Sequence, residues 1–101
     1  MFSIKRVDET TILLVGGVSV EKATDVSVLI QEHVRNKPNS ELSIDLSELE
    51  TVSSVMLSLL LCGLRAAKEV SCNLRYINIS QDLFNMARVS GIESILLKSE
   101  A

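Results

Sequence analysis

Two adjacent hydroxyls, Ser53 and Ser54, stand at the head of the apolar stretch that covers residues 51–70. A serine in such a place can serve as a nucleophile, as a helix cap or as the acceptor of a phosphoryl group. Nucleophilic work needs a base within reach and a third group to orient that base. The single histidine, His33, falls on a different predicted helix with no Cys or Asp constellation beside it and reads as a solvated side chain. No Gly-x-Ser-x-Gly elbow is present, and Asp45, Glu48 and Glu50 lack metal-ligand spacing. Gly16-Gly17 lacks the spacing of either nucleotide fingerprint. An enzyme is therefore not expected, nor a metal, nor a cofactor.

The capping role is chemically sufficient for one serine. Ser53 is predicted as the N-cap, its hydroxyl satisfying an orphan amide of the first turn for about 1 kcal/mol. Ser54 then becomes the first helical residue, at the positive end of the helix dipole, where free backbone amides accept a phosphate. It is a candidate contact residue and a candidate phosphorylation site.

At 100° per residue the helix gathers Ser54, Ser58, Leu61, Cys62, Arg65 and Glu69 into a stripe about 100° wide. Met56, Leu57, Leu60, Gly63, Leu64 and Ala67 fall on the opposite side and are expected to face a sheet, with Gly63 allowing close approach. Leu61 and Cys62 among polar neighbours read two ways with equal weight. They are ordinary single exposed apolar residues, or the apolar centre of a docking surface.

The elements around this helix are read from periodicity and punctuation. Residues 2–6 and 10–16 are β-rich, with Asp8-Glu9-Thr10 as the turn between two strands. Ser19 is predicted to cap a helix over residues 20–35 that buries Ala23, Val26, Ile30 and Val34, and Pro38 follows its end. Residues 41–47 alternate cleanly, with Leu42, Ile44 and Leu46 on one face. After the serine-led helix, residues 73–79 form another strand, so two parallel strands are joined by a right-handed crossover. Ser80 is predicted to cap a third helix whose face is marked by Leu83, Met86 or Ala87, and Ser90, with Gly91 at its end. Residues 92–97 are a last short strand or a packed tail, and residues 98–101 are expected to fray. The fold class is α/β: a mixed sheet of four or five strands with about three helices packed mainly on one face.

At 101 residues the chain is expected to be one domain with one core. That core must be aliphatic, because 47% of the residues are apolar but only 3% aromatic. A net charge of −3 disfavours nucleic acid as a partner. The first residues lack the pattern of a signal peptide, and the longest apolar run, broken by Ser58 and Gly63, is far short of the roughly 20 residues that span a bilayer. A cytoplasmic location without membrane insertion is expected. Cys62 and Cys72 lack the spacing of redox or zinc pairs and read as two reduced thiols.

The order of strand, Ile44-Asp45-Leu46-Ser47, short loop, Val52-Ser53-Ser54 and Leu-rich helix resembles the STAS domain of anti-sigma-factor antagonists and sulfate transporters. Leu57-Ser58-Leu59-Leu60-Leu61, Leu64-Arg65-Ala66-Ala67, Leu74-Arg75-Tyr76-Ile77-Asn78 and Ala87-Arg88-Val89-Ser90-Gly91 look more specifically like the MlaB group, the small STAS subunits of the Mla phospholipid-transport ABC complex. The resemblance covers nearly the whole chain. It implies a cytoplasmic accessory subunit that binds an MlaF-like ATPase at the cytoplasmic face of the inner membrane of a Gram-negative bacterium. The complex would serve outer-membrane lipid asymmetry. The resemblance maps the family's phosphorylation or partner-contact hydroxyl onto Ser54, while Ser53 stands where the family carries an acidic residue. The partner-binding residues are then Ser53, Ser54, Ser58, Leu61, Cys62 and Arg65, and a weak self-dimer is expected when the partner is absent. The alternative implied function is an anti-sigma-factor antagonist switched by phosphorylation of Ser54.

Overall fold

The structure, a computed structural model, describes residues 2–50, 54–89 and 91. β1 (Ser3–Arg6) and β2 (Thr11–Gly16) form an antiparallel hairpin, in register from Ser3 opposite Val15 to Arg6 opposite Ile12. Its turn is tied by the Asp8 carboxylate, which accepts from the Thr10 amide at 2.8 Å, the local bond that suits Asp to turns. A single 3₁₀ turn (Val20–Lys22) leads into α1 (Ala23–Arg35), followed by β3 (Glu41–Leu49), α2 (Ser54–Glu69), β4 (Asn73–Ile77) and α3 (Gln81–Val89).

The sheet has the strand order β1-β2-β3-β4, with β2, β3 and β4 parallel. Parallel neighbours require crossovers, and α1 and α2 supply them. Ile12, Ile44 and Tyr76 lie in one row across the three parallel strands. Alternate residues from these strands, Leu14, Leu42, Leu46 and Leu74 among them, form one buried face and join the core with Val26, Ile30 and Val34 of α1. The mixed sheet of four strands and the three α-helices match the expected class, and the chain segment at 92–97 lies outside the described residues.

Local chemistry explains where the elements bend and stop. Between Leu13 and Val15 the β2–β3 register shifts, so that β3 carries an extra residue. The Asp45 carboxylate sits at that bulge, accepting from the Ser47 amide at 2.8 Å and from the Asn78 side-chain amide at 3.1 Å. Beyond it the strand resumes to Leu49, two residues further than the alternation of 41–47 predicts. β4 ends earlier than expected, at Ile77, because Asn78 turns to a φ of 56°.

Ser19 does not cap α1. Its backbone carbonyl instead accepts from the Lys22 amide at 3.0 Å to close the 3₁₀ turn, and α1 begins after Lys22 without a side-chain cap. The cap of α3 is as expected: Ser80 Oγ accepts from the Leu83 amide at 3.1 Å, and Leu83 and Ala87 are buried. At the end of α2, Ser71 adopts a φ of 57°. The amides of Cys72 and Ser71 return to the carbonyls of Ala67 and Lys68 at 2.8 and 3.4 Å, the paired bonds of a Schellman closure.

Candidate docking surface

α2 begins at Ser54, as the serine-led reading requires, and Ser53 lies outside the described residues. The helix is apolar almost all round, so its setting on the sheet decides what it presents. Met56, Leu57, Leu60, Gly63 and Ala67 are buried, as expected of the sheet side. Leu59 and Ala66, which lie to one side of that face, are buried as well, at 5% and 1% exposure. Leu59 lines a groove with residues of α1, which packs along α2, so the core contact of α2 is wider than one sheet-facing stripe. Leu64, assigned to the core side, is only half-buried.

The outward stripe divides correspondingly. Ser58, Arg65 and Glu69 form an exposed polar crest, while Leu61 and Cys62 are half-buried on its two shoulders. By helical geometry Cys62 shares the shoulder of Val55, Leu59 and Ala66, next to α1, and Leu61 lies on the shoulder away from it. The surface is thus a polar ridge between two partly covered apolar flanks. At its C-terminal end Arg35 of α1 pairs with Glu69 at 3.2 Å, both groups well exposed.

Beneath the crest a buried polar contact ties α2 directly to the sheet. Tyr76 is fully buried, and its hydroxyl donates to the Leu60 carbonyl at 2.6 Å. Burial pushes this hydroxyl far above its ordinary ionisation range, and the nearby Cys62 adds to the effect. A Cβ on Gly63 would overlap the Tyr76 hydroxyl and press Ile30 at 3.2 Å. The close approach expected at Gly63 is therefore made to a tyrosine and to α1 at once.

A feature missed from sequence lies beside the crest. Ala23, Thr24, Ser27, Val28 and Gln31 of α1 line a groove with Val55, Ser58 and Leu59 of α2, about 390 Å³ in volume. The available signal was Val28, an apolar residue off the Val26/Ile30/Val34 face and nearly half exposed. The two thiols are free, Cys62 half-buried and Cys72 buried, and burial raises the Cys72 ionisation while Lys37 opposes it. Among the described residues no group of three or more His, Cys, Asp or Glu could hold a metal ion, and no helix is long and apolar enough to cross a membrane.

Residues 3–98 match the profile of a family described as "Mlab, STAS domain". No curated protein sequence matches the chain. Among solved structures, the anti-sigma factor antagonist SpoIIAA in its unphosphorylated form shares 15% identity at a TM-score of 0.68, over 93% of this chain and 84% of that one. An anti-sigma factor antagonist from Mycobacterium paratuberculosis shares 20% identity at a TM-score of 0.67, over 94% of this chain and 80% of that one. At these identities the likeness is one of fold.

Proposed function

The chain belongs to the STAS-domain family, and from that premise we propose that it is a non-catalytic subunit that docks on the ATPase of an ABC-type phospholipid transporter. The observation that carries this reading is the match over residues 3–98 to a family described by the MlaB name. The docking surface is the N-terminal half of α2 and its crest: Ser54 at the helix start, Ser58 and Arg65 exposed, with Leu61 and Cys62 on the shoulders. The exposed crest offers hydrogen-bonding and charged groups and the half-buried shoulders add apolar area, the mixed polarity of a non-obligate interface. Attachment to the inner membrane follows from the partner in this reading.

Co-purification with the ATPase tests the proposal. Ser54→Arg and Arg65→Glu are expected to lower recovery of the complex at least tenfold, corresponding to about 1.4 kcal/mol or more at a contact. Undiminished recovery with both variants folded removes α2 as the docking surface. A second reading, an anti-sigma-factor antagonist switched by phosphorylation, draws on the position of Ser54 as the first residue of α2. Intact-mass measurement after incubation with candidate kinases separates the two, because only the second requires phosphate on Ser54.

A further inference from the structure

We infer that Tyr76 and Gly63 together set the rotation of α2 on the sheet, which makes Tyr76 a positioning residue for the outward crest. The need for such a device lies in the composition of α2. Leucines at 57, 59, 60, 61 and 64, with Met56, Ala66 and Ala67, clothe the helix in apolar side chains on most of its circumference. A rotation of about 40° would bring Leu64 fully onto the sheet beside Leu57 and Leu60 and carry Leu59 outward past α1, exchanging one buried leucine for another. Hydrophobic contact is non-directional and does not choose strongly between these settings.

A directional bond does choose. The Tyr76 hydroxyl donates to the Leu60 carbonyl at 2.6 Å inside the core, so the carbonyl must face the middle of β4. The side-chain-free notch at Gly63 admits the hydroxyl, since a Cβ there would overlap it. The same notch receives Ile30 and Leu74, so α1 and the sheet meet α2 at one point. Rotating the helix away breaks the bond and leaves a buried hydroxyl without its acceptor, which is costly in an apolar interior. Ser58 and Arg65 stand on the crest because this bond holds the opposite side down.

The inference rests on the docking reading only for its biological consequence, and its test uses the isolated chain. Cys62, half-buried on the α1 shoulder, turns outward in the rotated setting, whereas Cys72 lies beyond the helix and is buried. Alkylation with iodoacetamide, with each site quantified by peptide mass spectrometry, therefore separates rotation from general loosening. In Tyr76→Phe, Cys62 is expected to react about threefold faster or more while Cys72 keeps its rate. A parallel rise at both thiols makes Tyr76 a contributor to stability alone and overturns the inference, as does no change at either. The comparison is repeated in a Ser71→Gly background, expected to offset the lost bond by relieving the left-handed backbone at the end of α2, with far-ultraviolet circular dichroism checking that each variant is folded. Failure of the labelling result leaves co-purification with the ATPase as an independent test, and failure of co-purification leaves the labelling result standing.

Discussion

Asp45 shows what a single residue contributes and why it was not legible. In sequence it is one polar member of an alternating strand, and its only candidate chemistry was metal binding, which its spacing excluded. Its actual work is to hold a bulge that lengthens β3. Burial raises the ionisation of this carboxyl, but the Ser47 amide and the Asn78 side chain outweigh burial and hold it below its ordinary 3.8. A lowered carboxyl stabilises the folded state above its unfolded value and loses that contribution as pH falls through the folded one. Asp45→Asn keeps an acceptor for Ser47 but removes the charge. In urea unfolding across a pH series, the deficit of this variant relative to the parent is expected to be constant above about pH 5 and to shrink below 3.8. Asp8, also lowered, first by the Thr10 amide, titrates identically in both proteins and cancels. A deficit that stays constant to pH 2 would mean that the charge at Asp45 does nothing for stability.

At the scale of elements, strands with one buried face were legible and the rotation of α2 was only partly so. The alternation of Leu42, Ile44 and Leu46 admits one reading, because a period of two assigns every side chain to a face. A helix apolar on most sides carries no such assignment. The wheel placed Met56, Leu57, Leu60, Gly63 and Ala67 correctly but took the sheet as the sole neighbour, whereas α1 packs beside Leu59 and Ala66 is buried as well. Ser19 misled for a related reason: a hydroxyl before a helix is a cap only if the backbone enters directly, and here a 3₁₀ turn intervenes. The end of α2 offers a stability test. Ser71 occupies, at φ 57°, the left-handed position that glycine fills at low cost. Ser71→Gly is expected to raise stability by about 0.5–1 kcal/mol in denaturant unfolding. A destabilisation would show that the serine side chain outweighs its backbone strain.

Across the whole molecule, one antiparallel hairpin extends a parallel core of three strands, and α1 and α2, which line the groove and form the crest of the proposed docking surface, cross between those strands. The succession of strand, helix and strand made this plan legible, since parallel neighbours cannot be joined otherwise. The contact that sets the helix on the plan was not legible, because it pairs a strand tyrosine with a helix carbonyl 16 residues away in sequence. That contact also gives the domain an optical property. Tyr76 is the chain's only tyrosine and there is no tryptophan, so near-ultraviolet absorbance and emission come almost wholly from the point where α2 meets the sheet. Buried and hydrogen-bonded, its phenol stays protonated in the fold well above its ordinary 10.0. A raised acid of this kind supports the folded state below its unfolded value and withdraws that support as pH climbs past it. Phenolate absorbance at about 295 nm is therefore expected to appear in base only as the chain unfolds, coincident with loss of far-ultraviolet circular dichroism. Its appearance near pH 10.0 with the helices intact would place the ring in water. The chain thus carries an internal dye at its central joint, and in the isolated chain any displacement of α2 from the sheet can be followed by it without a label.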